Sequence, residues 1–273
     1  MDFPRSRQYF QQEIEQPDEQ INLALSALYI AQEEYPDLDI FACLNALDTM
    51  AFEIEERLPS QKYPLRIIQS INQYLYDDLG FSGNTVEYYD PRNSFLNEVI
   101  ERKVGIPISL ALIYLEVAKR IDFPMVGIGM PGHFLMRPAI AEMEIFVDAF
   151  NRGEVMFADD CQERLMQVYG QPVNMQPEFL AAVSNRQFLA RMLSNLKFIY
   201  LNGQNLEKAL AAVERILLLF PDSLTEIRDR GLIYYQIGRW VAAVNDFETY
   251  LSQLPNAQDA PVIRRLLEQI TKN

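Results

Sequence analysis

Residues 105–137 read "GIPISLALIYLEVAKRIDFPMVGIGMPGHFLMR", and the change of pattern within this stretch predicts the fold. Its first half, 107–121, is apolar on nearly every side and has a proline in the first turn, which is typical of a buried helix. The short runs "MVGIG", "HFLMR" and, further on, "EIFVDAF" are rich in apolar and β-forming residues, which is typical of short strands. A helix followed by antiparallel strands predicts an α+β core.

The glycines at 127, 129 and 132 in this stretch spell G-x-G-x-x-G, the pattern of a dinucleotide-binding loop. Such a loop needs a strand before the glycines and a helix after them, because the helix N-terminus holds the pyrophosphate. Here Pro131 interrupts the motif, and "HFLMR" alternates like a strand. We therefore interpret the glycines as part of a strand and a turn, and we expect no cofactor.

Helical patterns precede this core. The segment "DEQINLALSALYIAQEEYP" has Asp18 as a candidate N-cap, and "LDIFACLNALDTMAFEIEERL" repeats its apolar spacing. "PLRIIQSINQYLYDDLG" follows and stops at Gly80. "NSFLNEVIERKVGIP" predicts a short helix ending at Gly105. The chain is therefore expected to be mostly helical, with helices that cover the strands.

A repeat of 34 residues marks the C-terminal part. At this offset Pro221 matches Pro255, and four further pairs agree in position: Tyr200 with Tyr234, Leu206 with Trp240, Ala209 with Ala243, and Val213 with Phe247. Thirty-four residues is the tetratricopeptide period, in which a small alanine lets paired helices approach each other. The alternative is an unrelated helical bundle. We interpret 190–223 and 224–257 as two tetratricopeptide repeats.

The last segment, "DAPVIRRLLEQITKN", predicts a capping helix with Val262, Leu266 and Ile270 on one face. The expected organisation is a domain over residues 1–180, with its core at 91–157, and a helical repeat domain over 181–273. The concave surface of such repeats predicts a protein or peptide partner.

The charge and composition of the chain disfavour several classes of function. The formal charge of −14 and the pI of about 4.6 disfavour binding to nucleic acid or to an anionic membrane surface. Cys43 and Cys161 match no metal spacing, so no metal site is predicted. The first residues contain no apolar signal-peptide core, and no run of about 18 apolar residues occurs. These features predict a cytoplasmic protein.

Three polar residues fall at the ends of predicted core elements. Ser109 lies in the first turn of the buried helix, His133, the only histidine, opens the second strand, and Asp148 lies near the end of the third. A nucleophile at a helix N-terminus, a base and an orienting acid form a triad arrangement. The alternative is structural: Ser109 decorates a helical turn, His133 packs in a strand, and Asp148 with Asn151 shapes a turn.

The motifs "GIPISLALIYLEVA", "PGHFLMR" and "VDAFNRG" resemble the transglutaminase-like domain of the bacterial SirB-type family, whose members commonly carry a tetratricopeptide tail. The resemblance implies a papain-like α+β core in which a cysteine, a histidine and an aspartate form the triad of active relatives. Carried over by position, the nucleophile maps to Ser109, the base to His133 and the acid to Asp148.

This sequence departs from the family's triad at position 109, where a serine stands in place of the cysteine. A thiol is partly ionised at neutral pH, whereas a hydroxyl needs concerted base catalysis and an oxyanion hole. We therefore expect a non-catalytic binding or regulatory module; the alternative is a hydrolase or acyltransferase with a Ser-His-Asp triad. Basic residues near the motifs suggest a cationic rim for an anionic ligand: Arg92, Arg102, Lys103, Arg137 and Arg152.

Overall fold

The computed structural model describes residues 4–140 and 143–272. These residues form two compact units, one up to Leu189 and one from Ala190 onward. Helices dominate both units, and the strands lie in the first.

The helices of the first unit precede, flank and follow a small sheet. They are α1 (Arg5–Ile14), α2 (Leu23–Glu34), α3 (Ile40–Glu55), α4 (Pro64–Asn72), which continues as a π-helical turn over Gln73–Asp78, α5 (Leu96–Arg102), α6 (Pro107–Arg120) and α7 (Ala158–Tyr169). Helix α8 (Asn185–Asn202) begins in this unit.

Helix α6 is the predicted buried helix, and the structure confirms it. Every residue from Pro107 to Ala118 is buried. The helix packs against α2, α3 and α5 on the helical side, and against β3 (Met125–Ile128) and β4 (Leu135–Pro138) on the sheet side. Because both sides are covered, an apolar surface all round is stabilising here rather than a liability.

The sheet is an antiparallel meander in the order β3, β4, β5 (Phe146–Asp148) and β6 (Glu154–Met156). The first three strands confirm the prediction, whereas β6 was not predicted from its three residues. Strand β3 pairs with β4 across a turn in which Gly132 has a φ of 72°. A strand rather than a helix follows the glycines, so the motif is a hairpin and lacks the helix that a dinucleotide loop needs. The predicted link "PAIAEM" includes residues 141 and 142, which lie outside the described residues.

A parallel pair of two-residue strands, β1 (Ser82–Gly83) and β2 (Val104–Gly105), corrects one prediction. Gly105 does not end α5; it lies in β2 opposite Gly83. The helix ends instead at Lys103, which adopts the left-handed conformation with a φ of 59°. Such short strands lack a periodic pattern, and this is why the sequence did not indicate them.

Asp18 is a second correction, because it does not cap the helix that follows it in sequence. The N-cap of α2 is Asn22, whose side-chain oxygen accepts the N–H of Leu25 at 3.0 Å. The Asp18 carboxylate accepts the backbone N–H groups of Asn185 (2.8 Å) and Arg186 (2.9 Å) and so caps α8.

The second unit consists of paired helices with the predicted repeat. After α8 come α9 (Leu206–Leu219), α10 (Leu224–Gln236), α11 (Trp240–Gln253) and α12 (Ala260–Thr271). The matched positions Ala209, Ala243, Val213 and Phe247 are fully buried, and each proline of the repeat directly follows the C-cap residue of its helix. The predicted face of α12 was wrong in one residue: Val262 is exposed, and Ile263 is buried instead.

Candidate functional site

The side chains of His133 and Asp148 meet at one end of the sheet, although His133 precedes β4 rather than opening it as predicted. His133 lies between the β3–β4 turn and β4, and Asp148 is the last residue of β5. The Nε2 atom of His133 lies 2.8 Å from Oδ2 of Asp148, and both residues are buried. Strands β4 and β5 pair through Met136 and Val147, and this pairing brings the two side chains to the same end of the sheet.

Asp148 accepts four further hydrogen bonds. Its Oδ1 accepts the backbone N–H groups of Phe150 (3.0 Å) and Asn151 (3.2 Å). Its Oδ2 accepts the Asn151 side-chain amide (2.8 Å) and the Arg164 guanidinium (3.1 Å). Burial raises the pKa of Asp148, but His133, Asn151 and Arg164 together outweigh it and lower the pKa. The carboxylate is therefore ionised at neutral pH.

The ionised carboxylate determines how His133 is protonated. An ionised carboxylate only accepts hydrogen bonds, so Nε2 of His133 carries a proton. In the neutral ring Nδ1 is then the acceptor, and it has no hydrogen-bond partner among the residues that the structure describes. An acceptor nitrogen held in a fixed orientation is what a general base requires.

Phe150 forms one wall beside the imidazole. The rings of His133 and Phe150 stand edge to face, with centroids 6.1 Å apart. Phe150 also contacts Tyr88 and packs directly on the backbone of Gly83, where an added Cβ would lie 2.6 Å from the ring. The parallel pair of β1 and β2 thus supports the aromatic wall of the site.

Ser109 lies in the first turn of α6 and is fully buried. Its Oγ donates to the carbonyl oxygen of Asn93 at 2.6 Å and accepts the N–H of Ile106 at 3.0 Å. Among the described residues, Ser109 and His133 share no hydrogen bond. The structure thus brings two of the three predicted residues into contact and turns the hydroxyl of the third toward the backbone.

Both interpretations of Asp148 apply at once. Its Oδ2 orients His133, as a triad acid does, and its Oδ1 closes the turn at Phe150 and Asn151, as the structural alternative predicted. Sequence reasoning missed Arg164, which comes from α7 and bridges Asp148 to Glu154 (2.8 Å). No local pattern in α7 marks this arginine.

The basic residues proposed as a cationic rim are mostly engaged with neighbours. Arg92 pairs with Asp90 at 2.6 Å, and Arg152 pairs with Asp77. Arg102 donates to Asn93 at 3.3 Å. The Lys103 ammonium lies 4.7 Å from the centre of the Phe81 ring, and burial lowers its pKa. These contacts engage four of the five residues; the Nε of the fifth, Arg137, is buried without a hydrogen-bond partner among the described residues.

Metal-binding side chains and cysteine thiols are also candidate functional groups of the site. No group of three or more His, Cys, Asp or Glu side chains that could hold a metal ion occurs within residues 4–140 and 143–272. Cys161 is fully buried, and burial raises its pKa to about 12. This thiol is therefore packed in the core, where burial disfavours the reactive thiolate.

The arrangement of a buried helix, an antiparallel meander and a His-Asp pair defines a class of protein. Residues 41–194, more than half of the chain, match the family model of the transglutaminase-like superfamily, and the chain belongs to this superfamily. Residues 196–268 match a tetratricopeptide repeat model, so the first unit is followed by tetratricopeptide helices.

Particular relatives carry the name UPF0162 protein. The chain is 39% identical to one from Xylella fastidiosa over 90% of its own length and 89% of the relative. It is 33% identical to one from Vibrio cholerae over 69% of its length and 70% of the relative. The human F-box only protein 21 is 27% identical over 82% of this chain, which spans 37% of that relative.

No solved structure matches the chain. Within the described residues, no helix is long and apolar enough to cross a membrane.

Proposed function

We propose that this protein is a SirB-type transglutaminase-like protein of the cytoplasm that acts as a binding or regulatory module rather than as an enzyme. Its tetratricopeptide helices bind a protein or peptide partner. The transglutaminase-like unit retains a histidine and an acid, and it has a serine, Ser109, at the position where the family resemblance places the thiol of active relatives.

The observation that carries the proposal is the state of the Ser109 hydroxyl. A hydroxyl has one proton, and Ser109 gives it to the Asn93 carbonyl. A general base must lie within hydrogen-bond distance of the group whose proton it removes. To reach His133, the hydroxyl would have to break two buried hydrogen bonds, each worth about 1 kcal/mol net, and leave their backbone partners unsatisfied.

A second candidate function, a hydrolase or acyltransferase with Ser109 as nucleophile, is favoured by one observation. The His133–Asp148 pair has the orientation of a base and its orienting acid, with Nδ1 as the available acceptor. This function needs a rotation of the Ser109 side chain or of the α6 terminus when a substrate binds.

A serine-reactive fluorophosphonate probe separates the two functions. We expect no labelling of the full-length protein, while a serine hydrolase added to the same reaction labels fully. Labelling at Ser109 that disappears in His133→Asn, with the variant shown to be folded by its thermal unfolding, would overturn the non-catalytic proposal.

Partner binding is tested on the full-length protein as bait. The same partner should be captured from a cell extract by the wild type and by His133→Asn, because binding through the repeats needs no imidazole. Failure of the wild type to retain any partner or peptide would contradict the proposed role.

A further inference from the structure

A small pocket opens in the second unit between the ends of α10, α11 and α12. It encloses about 300 Å³ and is lined by Tyr235, Trp240, Gln269 and Ile270. Trp240 is the only tryptophan of the chain, and half of its surface is exposed. An indole left half exposed in a folded unit marks a surface that can gain stability by being covered.

The repeat itself does not need these aromatic residues. Thirty-four residues earlier, Leu201 and Leu206 occupy the positions of Tyr235 and Trp240. Leucine is therefore accepted at both positions, and Leu201 is itself 36% exposed, so helix packing does not demand an aromatic side chain at the position of Tyr235. The aromatic pair is specific to the second repeat, which points to a role other than helix packing.

The two rings form a corner. Their centroids lie 5.3 Å apart, and their planes meet at 75°, so that a flat apolar group can stack on one ring and contact the edge of the other. The Tyr235 hydroxyl donates to Oε1 of Gln269 at 2.9 Å. This bond fixes the amide and leaves its N–H groups without a hydrogen-bond partner among the described residues.

The polar groups around the corner are donors. They are the amide of Gln269 and the indole N–H of Trp240, which also has no hydrogen-bond partner in the described part of the chain. Among the described residues no carboxylate lines the pocket, so none of these lining groups favours a cationic side chain over an apolar one. Donors beside aromatic faces suit a ligand that offers carbonyl oxygens and a compact apolar ring.

The charge of the unit agrees with a neutral ligand. Residues 190–273 contain ten lysines and arginines and nine aspartates and glutamates, whereas residues 1–189 contain fourteen and twenty-nine. The acidic excess of the chain therefore lies in the first unit. The second unit has no net field that would select a strongly basic or acidic partner.

We propose that the pocket of Tyr235, Trp240, Gln269 and Ile270 binds a proline-containing segment of the partner in an extended, polyproline II conformation. A proline ring packs in the aromatic corner, and neighbouring carbonyls accept from Trp240 and Gln269. A polyproline II segment forms no internal hydrogen bonds, so its carbonyls are available, and little conformational entropy is lost on binding. The inference rests on the proposed partner binding through the tetratricopeptide helices.

Because Trp240 is the only tryptophan, its fluorescence reports directly on the pocket of the full-length protein. The probe is a synthetic decapeptide built from Pro-Pro-Leu-Pro units, and the matched peptide has alanine at every proline. We expect a saturable change of fluorescence with the proline peptide and at least about tenfold weaker binding of the alanine peptide, since aromatic pockets concentrate binding energy. No change with the proline peptide, or equal binding of both, would overturn the inference.

Calorimetric titration of variants with the proline peptide locates the binding site. Calorimetry is used because it does not depend on the fluorescence of Trp240, which some variants remove. Trp240→Ala and Tyr235→Ala should each weaken binding about tenfold or more, and Trp240→Phe, which keeps a ring but loses the N–H, should lie between. Val241→Ala is the matched control, because Val241 is the next residue of α11, is 78% exposed and does not line the pocket. Unchanged binding in Tyr235→Ala would overturn the inference.

Partner binding by the tetratricopeptide helices and proline binding in the pocket are tested by different outcomes. If the partner captured by wild-type protein is captured equally by Trp240→Ala, the pocket assignment is wrong and the binding role stands. If the wild type captures no partner, the binding role is contradicted, and the decapeptide titration still decides whether the pocket accepts proline.

Discussion

The carboxylate of Asp148 holds the imidazole of His133 at 2.8 Å and the guanidinium of Arg164 at 3.1 Å through the same oxygen. One buried acid thus orients the only histidine and joins β5 to α7. Its removal would leave the imidazole N–H and two backbone N–H groups without an acceptor, and it would leave Arg164 with Glu154 alone, which makes Asp148 the most sensitive position of the site.

Replacement of Asp148 by alanine should lower the free energy of unfolding by about 3 kcal/mol or more, because the imidazole and two backbone N–H groups lose their acceptor and Arg164 loses one of its two carboxylate partners. Urea unfolding measures the change. Glu154→Gln is the matched control. It removes the half-exposed carboxylate that is the second ion-pair partner of Arg164, and it should lower the free energy of unfolding by less than about 1 kcal/mol. Equal effects of the two variants would contradict the central role of Asp148.

Stability should depend on pH through the same residue. The folded pKa of Asp148 lies below its ordinary value of 3.8. Its stabilisation is therefore fully present above about pH 4 and is lost as the pH falls through the lower, folded pKa. Urea midpoints between about pH 3 and 7 should fall more steeply on the acid side for wild type than for Asp148→Asn. Parallel curves would show that the acid sensitivity has another source.

The Ser109 hydroxyl should matter for folding. Ser109→Ala leaves the Asn93 carbonyl and the Ile106 N–H unsatisfied in the core, at a cost of about 1–3 kcal/mol. Ser252→Ala, which removes an exposed helical hydroxyl bonded to the Thr249 carbonyl, should change stability by less than about 0.5 kcal/mol. A neutral effect of Ser109→Ala would mean that the buried bonds contribute little.

Gly83 should tolerate no side chain while Phe150 is present. In Gly83→Ala the new Cβ would lie 2.6 Å from the Phe150 ring, and the overlap should cost about 1–3 kcal/mol. In a Phe150→Leu background, where the flat ring is gone, the same substitution should cost less. A double-mutant cycle measures the coupling, and strict additivity would show that Gly83 and Phe150 do not depend on each other.

Much of the fold follows from local patterns. The all-round apolar surface of α6 predicted its burial, the 34-residue spacing predicted the tetratricopeptide helices, and short runs rich in apolar and β-forming residues predicted the first three strands of the sheet. Three short strands escaped prediction: β1, β2 and β6 have two or three residues each, too few to show alternation. Strand β5 is equally short, but it lies within the run "EIFVDAF", which indicated it. The end of α5 was misplaced because Gly105 was assigned as its stop, whereas Lys103 adopts the left-handed conformation.

Helix capping likewise depends on contacts that local sequence patterns do not contain. Asp18 has the residue type and the position of an N-cap for the next helix, and a closer cap, Asn22, takes that place. The Asp18 carboxylate instead caps α8, whose first residue lies 167 positions away in sequence. A cap partner at that separation depends on how the chain returns to α1 and α2, which no local pattern contains.

Sequence patterns alone determined the α+β core and the repeat helices, because periodicity is a local feature. The pairing of His133 with Asp148 was implied by the family resemblance, since the residues by themselves left a structural role for each side chain open. Only the tertiary structure decided where the Ser109 hydroxyl points. That direction depends on the Asn93 carbonyl, which a loop and the parallel pair of β1 and β2 place over the first turn of α6. A buried hydroxyl turns to the strongest acceptor within reach, and its neighbours in space, not in sequence, supply that acceptor.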